Sequence, residues 1–553
     1  MIRDNLKEAI KTAVLELGLE IEDVHLEHPA DLANGDYSTN VAMVLGKKVG
    51  KNPKELAQEI TDNIKELKEV EKIEVAGAGF INFHLSQEFF AGSIEEILKA
   101  GDKWGSNETL KGQETMVEYT DPNPFKEFHI GHLMSNAIGE SISRLVEFSG
   151  AETKRANYQG DVGLHVAKAI FGKQKNPEMA FGTAYAEGNS AYEEDEKAKE
   201  EIKEINKKVY NKSDEEINKL YDEGKKVSLE HFEEIYKKLD TKFDEYFFES
   251  ETGPIGEKLV EENVGKVFEE SDGAVIFKGE DVGLHTRVFI NSEGLPTYEA
   301  KDLALAKVKA DRYGYDKSIV ITASEQKEYY KVVLASMKEI FPDLSESTKH
   351  ITHGMLRLPS GKMSSRTGDV ITGESLIDEV NEKVLEKMKD SDIEGKAEIA
   401  EQVAVGAIKY SILKQSAGKD IIFDYDKSLS FEGDSGPYLQ YSHTRASAVL
   451  EKAKEEKIIP SINDRVNDRE TVELEKLLYR FPEVVERANK EYEPHYVTIY
   501  LTELAGAFNS FYAKEKIVEE SDTAAYKVAL TQAFKTTIKN GLWLLGIKTP
   551  NRM

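Results

Sequence analysis

The chain has 553 residues, 40% hydrophobic and 32% charged, a formal net charge of −29 and no cysteine. No apolar run approaches the 18 or more residues that suggest a membrane span, and the lack of cysteine excludes disulfides, thiol nucleophiles and cysteine-held zinc. The acidic total argues against a uniformly basic nucleic-acid surface, yet residues 431–553 hold 17 Lys+Arg against 19 Asp+Glu, leaving −27 on the rest.

At about 150 residues per domain, three or four domains are expected. Met1-Ile2-Arg3-Asp4-Asn5 reads as the start of an amphipathic helix and not of a signal peptide, so a cytoplasmic location is expected. In the first unit, 1–110, helical patterns at Ile2–Leu17 and Pro53–Leu67 flank a Gly35-Asp36-Tyr37 turn, and 73–83 reads as a strand pair around small residues. The second unit, 111–375, opens with a β-turn-α-β pattern: a strand at 116–120, two prolines, helical spacing over 133–150, and a strand at 154–158. A charged, helix-rich insertion follows at about 170–270, with apolar stripes such as Ile202, Ile205 and Val209. Strand-like runs return at 274–277, 286–290 and 318–322, the last followed by a helix over 326–340. A helical connector, 376–430, leads to a C-terminal segment, 431–553, that reads as helices at 438–457, 471–492, 495–513 and 524–545. The fold class is α/β: a Rossmann-like parallel-sheet catalytic domain with a helix-rich insertion, a small α+β N-terminal domain and an all-α C-terminal bundle.

His129-Ile130-Gly131-His132 sits where the first strand gives way to a helix. Unpaired N–H groups and the helix dipole favour an anion there, and imidazoles donate to it. Alone, this says only that a phosphate belongs at a helix start. Lys362-Met363-Ser364-Ser365, between Gly361 and Gly368, adds a cation on a glycine-flanked loop.

The two tetrads resemble the signatures of class I aminoacyl-tRNA synthetases. Longer stretches are similar to the arginyl-tRNA synthetases: D-P-N-P-F-K-E-F-H-I-G-H (121–132), R-A-N-Y-Q-G-D-V-G (155–163), F-D-E-Y-F-F-E-S (243–250), T-Y-E-A-K-D (297–302), A-S-E-Q (323–326), L-S-F-E-G-D-S-G-P-Y-L-Q-Y-S-H-T-R (429–445) and L-L-G-I-K-T-P-N-R-M (544–553). The resemblance implies that ATP, as its Mg2+ complex, and L-arginine give arginyl-adenylate and pyrophosphate. Arginine then passes to the 3′-terminal adenosine of its tRNA, with tRNA needed for activation.

His129, Gly131, His132 and Lys362 are implied at the ATP phosphates, with Gly160, Asp161, Met363, Ser364 and Ser365 also at the nucleotide. Ser365 stands where many class I members have a second lysine, so Lys126 is a candidate for that charge, beside Arg366. A guanidinium needs a carboxylate fork, and the resemblance puts Tyr298 and Asp302 on that task, with Glu249 third. Asn123, Gln326 and Glu118 are implied at the arginine α-amino and carboxylate groups. Tyr438, Gln440, Tyr441 and Arg445 are candidate tRNA-facing residues. No protein-bound zinc or prosthetic group, no DNA or membrane partner, and a monomer are expected.

The alternatives fit less well. Cysteinyl enzymes use cysteine-held zinc, and the isoleucyl, valyl and leucyl enzymes carry an editing domain larger than this insertion. A small-molecule nucleotidyltransferase leaves T-Y-E-A-K-D without a role, and a paralogue that only binds tRNA has no need of His129, His132 and Lys362.

Overall fold

The computed structural model describes residues 1–359, 372–462 and 471–553. The chain forms two compact units, residues 1–104 with 446–481 and 506–537, and residues 105–445 with 482–505 and 538–553.

In the first unit a three-stranded antiparallel sheet places Phe80–Leu85 between Tyr37–Thr39 and Val70–Ala76. The last two strands form the hairpin expected around Gly77 and Gly79. The helix Pro53–Asn63 starts with proline at its first position, where the missing N–H costs nothing, and Asn52 caps it by accepting from Lys54 N–H. Leu6, Ile10, Val14, Leu56, Ile60, Ile81 and Phe83 form its core with Tyr479.

The second unit is built on a five-stranded parallel sheet, in the order Thr348–His353, Lys317–Ala323, Glu114–Glu118, Glu152–Gln159, Glu245–Phe248. Its inner strands, buried on both faces, read as short apolar runs such as Ile319-Val320-Ile321. Chain order reverses between Glu114–Glu118 and Lys317–Ala323, so the crevice for a ligand opens at the carboxyl ends of those two strands.

Three departures from the sequence reading have physical causes. The helix-rich insertion ends at Lys238, and Glu245–Phe248 beyond it is an edge strand of the main sheet; flanking acidic residues hide its short apolar core. The runs at 274–277 and 287–290 join Glu269–Ser271 in a separate antiparallel sheet. The helix expected over 471–492 is two, Glu473–Leu478 and Phe481–Glu491, because Pro482 cannot donate to a carbonyl of the preceding turn.

Candidate active site

The segment between the first strand and the histidine helix, Ile130–Phe148, is backbone under constraint. Thr120, Asp121 and Phe125 have φ of 79°, 48° and 70°, a region that side chains with a β-carbon avoid. The surroundings hold them there. Ser135 Oγ accepts from Thr120 N–H at 2.9 Å, Asp121 Oδ1 accepts from Tyr158 N–H at 2.7 Å, and Ser228 Oγ accepts from Phe125 N–H at 2.9 Å.

His129 and His132 cap the helix that follows. His129 Nδ1 accepts from Gly131 N–H at 3.1 Å, and His132 Nδ1 accepts from His129 N–H at 3.2 Å. Their rings stack with centroids 3.5 Å apart. Both Nδ1 atoms are therefore unprotonated, and each neutral ring carries its proton on Nε2. Burial, then the Lys126 charge, lowers the His129 pKa; burial, His129 and Lys126 hold His132 well below the usual histidine range. The pair is a set of neutral donors. A β-carbon on Gly131 would lie 2.9 Å from His129 Cε1, so the glycine keeps the first ring in its capping position.

Lys126 lies among these histidines and Glu249. Its ammonium sits 5.3 Å from the Tyr185 ring centre, and burial and Lys168 lower its pKa. A third histidine, His353, ends the edge strand, buried, with Nδ1 donating to Gly354 O at 2.8 Å. Its positive charge lowers the pKa of both His129 and His132. Lys362, Met363, Ser364 and Ser365, with Arg366, lie outside the described residues. At the cap, Thr372 bridges His129 and Gly373 N–H donates to Phe128 O at 2.7 Å.

The other side of the crevice is acidic. Glu118, at the end of the first strand, accepts from Lys309 Nζ at 2.7 Å, and Glu249 accepts from Lys301 Nζ at 2.7 Å; all four side chains are buried. Asp302 has no such cation among the described residues and accepts only from the Tyr329 hydroxyl, at 2.5 Å. Burial, with Glu118 and Glu249 nearby, pushes its carboxyl up to about 8. Tyr298, four residues earlier on the same helix and 59% exposed, stands at the rim with Lys301 Nζ 5.4 Å from its ring centre. Asn123, Gly160 and Glu249 converge: a β-carbon on Gly160 would be 2.2 Å from Asn123 Oδ1 and 2.9 Å from Glu249 Oε1. Gln326 is exposed just past the end of Lys317–Ala323.

Two expected residues are engaged elsewhere. Asp161, expected at the nucleotide, is fully buried and accepts from Tyr221 Oη, Lys225 Nζ and both donors of Ser250 at 2.6–2.8 Å. With its oxygens filled by protein donors, it ties the second strand to the insertion. Gln440, expected to face tRNA, is fully buried and donates to Gln402 O and Lys548 O at 3.1 and 2.8 Å, so it ties its helix to the helix Lys396–Leu413 and to the chain beyond the last helix. Tyr441 stacks edge-on with Phe431 and lies under Arg445, 4.8 Å from its ring centre. Tyr438 is half-buried on the same helix. The sequence reading missed Lys301, Lys309 and His353. Of these, Lys301 alone lay inside a motif, T-Y-E-A-K-D, and no role was drawn for it.

Comparison with known proteins gives a consistent picture. Residues 93–425 match the family model described as tRNA synthetases class I (R), catalytic domain. Residues 439–553 match the DALR anticodon binding domain, and 1–85 the arginyl tRNA synthetase N terminal domain. The chain is 32% identical to an arginine–tRNA ligase of Clostridium kluyveri, covering 98% of each chain, and 33% identical to one of Lactococcus lactis, covering 97% of each. Among solved structures it is similar to the Thermus thermophilus arginyl-tRNA synthetase, at 25% identity, full coverage of both chains and a TM-score of 0.82. The Plasmodium falciparum arginyl-tRNA synthetase shares the fold, with a TM-score of 0.80 over 100% of this chain and 99% of that one, at 22% identity.

Proposed function

The chain belongs to the arginyl-tRNA synthetases of class I, and from that premise we propose that it is an arginine–tRNA ligase. ATP, as its Mg2+ complex, and L-arginine give arginyl-adenylate and pyrophosphate, and the arginyl group then moves to the 2′-hydroxyl of the terminal adenosine of its tRNA. Activation requires the tRNA.

One observation carries the reading. Glu118 and Glu249 are each neutralised by a buried lysine, while Asp302 is left with a phenol as its only described partner. A guanidinium supplies the missing cation and presents a planar fork of donors to that carboxylate. Tyr298 covers the guanidinium with Glu249 as a third group there, and Asn123, Glu118 and Gln326 surround the α-amino and carboxylate end.

Adenylate formation is a displacement at the α-phosphorus, and it depends on in-line positioning and on stabilising charge as pyrophosphate departs. His129 and His132 donate through Nε2–H, and the helix start adds its dipole. Lys126 and Lys362 supply the cations, with Gly131, Met363, Ser364 and Ser365 along the nucleotide and Gly160 at the junction with the arginine pocket. Asp161 acts indirectly, by holding Gly160's neighbourhood against Ser250 and the insertion. His165 supports the same turn, donating through Nε2–H to Gly160 O at 2.7 Å.

The N-terminal segment, 1–110, and the C-terminal helices, 431–553, contact tRNA, with Tyr438, Tyr441 and Arg445 candidates there. The protein works as a cytoplasmic monomer without DNA or membrane partners; among the described residues no helix is long and apolar enough to cross a membrane. ATP–pyrophosphate exchange measured for each of the twenty amino acids, with and without total tRNA, tests the proposal. Exchange is expected with arginine alone and only with tRNA present. Exchange with another amino acid refutes the specificity, and tRNA binding without any exchange refutes catalysis.

A further inference from the structure

The far half of the histidine helix carries buried polar groups that the reaction above does not use: Glu140, Ser141 and Arg144. Ser141 Oγ donates to Leu544 O at 2.8 Å, and Arg144 Nη1 donates to Trp543 O at 2.9 Å. Lys409, fully buried on the helix Lys396–Leu413, donates to Gly546 O at 2.9 Å and to Leu239 O at 2.6 Å. Three side chains thus grip the carbonyls that end the last helix, Ala524–Leu544.

That helix end is built to be gripped. Ile547 N–H donates to Leu542 O and Gly546 N–H to Trp543 O, both at 2.9 Å, closing the helix with Gly546 at a φ of 64°. A β-carbon on Gly546 would stand 2.7 Å from Lys409 Nζ, so the glycine provides both the turn and the approach of the lysine. The partial negative charge of a helix C-terminus suits the cations placed there. Lys409 has no ion pair among the described residues and depends on those carbonyls; burial and Arg144 push its pKa down to about 7.

The grip continues to the active site. Tyr119, directly after Glu118, donates to Glu140, which accepts from Arg144 Nε at 2.7 Å and Arg155 Nε at 3.2 Å. Gly139 makes room for this: a β-carbon there would fall 2.2 Å from the Tyr119 ring. The helix itself is a second route. Ser141 and Arg144 are on the same rigid rod as His132, roughly 14–18 Å along it at about 1.5 Å per residue.

We propose that Ser141, Arg144 and Lys409 are positioning residues for adenylate formation: they seat the end of the last helix, and that seating sets where His129 and His132 present their donors. The proposal rests on the ligase reaction above. Loosening this end shifts the phosphate donors by a small distance that ground-state binding tolerates and in-line displacement does not, so the loss falls on kcat.

The test is tRNA-saturated ATP–pyrophosphate exchange by the wild type, Ser141→Ala, Lys409→Met, Arg144→Met and Arg144→Lys, with rates divided by active sites titrated from the adenylate burst. Per-site kcat is expected to fall at least tenfold in Lys409→Met and Arg144→Met and about threefold in Ser141→Ala. Both KM values stay within twofold, and Arg144→Lys recovers part of the loss. Should the two larger changes prevent folding, Ser141→Ala, which removes a single hydroxyl, decides. Wild-type per-site kcat with only a lowered Tm overturns the proposal, as does a loss confined to KM. A wild type without arginine-dependent exchange overturns the ligase reading itself.

Discussion

His129 and His132 each use Nδ1 to accept a backbone N–H, at 3.1 and 3.2 Å, which leaves Nε2–H as the outward donor. Because their pKa values are lowered, neither ring gains or loses a charge between pH 7 and 8, and kcat over that range carries no histidine titration; a kcat profile with an inflection there that disappears in His132→Asn would contradict the assignment. Removing either donor is expected to lower kcat about 10²–10³-fold, as for a preorganised donor elsewhere, with little change in arginine KM. Asp302 behaves in the opposite way. Its folded-state pKa of about 8 lies above the ordinary 3.8, so the empty protein loses stability from this group as pH rises through that window. Arginine binds the ionised form, so arginine KM should fall as pH rises towards 8 and level off above it, at most tenfold per unit. Asp302→Asn removes that slope. Asp302→Ala raises the arginine KM far more than the ATP KM, and equal effects in initial-rate kinetics would undo the guanidinium assignment.

At the scale of elements, the site depends on close backbone approaches as much as on functional side chains. The helix Phe181–Glu194 packs onto the helix Leu164–Lys175 through glycine: a β-carbon on Gly188 would be 2.0 Å from Lys168 O, and one on Gly172 2.2 Å from Ala184 O. Gly188→Ala gains up to about 1 kcal/mol in helix propensity, but forcing the helices apart costs about 1–3 kcal/mol. A net destabilisation is expected in urea unfolding, and a midpoint raised above that of the wild type would show that the helices separate freely. The histidine cap and the T-Y-E-A-K-D helix were legible in the sequence because each lies within one short stretch whose residue order carries its chemistry. The Lys301–Glu249 and Lys309–Glu118 pairs were not, since each joins residues 52 and 191 positions apart, which no local pattern records. Glu245–Phe248 was hidden for a related reason: an edge strand is half exposed and its flanks are charged. Asp161 and Gln440 lay in family-like motifs, but only the packed structure reveals that both Asp161 oxygens and the Gln440 amide nitrogen are bonded inside the protein.

Across the whole molecule, a net charge of −29 is compatible with a phosphate-rich substrate because positive charge is placed locally, as at Lys126 beside the two histidines. His129, His132 and Glu118 lie at or after the carboxyl end of Glu114–Glu118, where the chain order reverses, and Glu249 follows the carboxyl end of the edge strand Glu245–Phe248. In the proposed reading, one crevice holds donors for a nucleotide and a carboxylate in want of a cation. The central claim is that Asp302 selects arginine by its guanidinium. It is tested most directly by the ratio of exchange kcat/KM for L-arginine to that for L-citrulline, a neutral analogue of the same shape, in the wild type and in Asp302→Asn. A site with matched buried polar groups predicts a wild-type ratio of about 10⁴ or more, falling at least 10²-fold in Asp302→Asn. A ratio that is the same in both proteins would contradict the account.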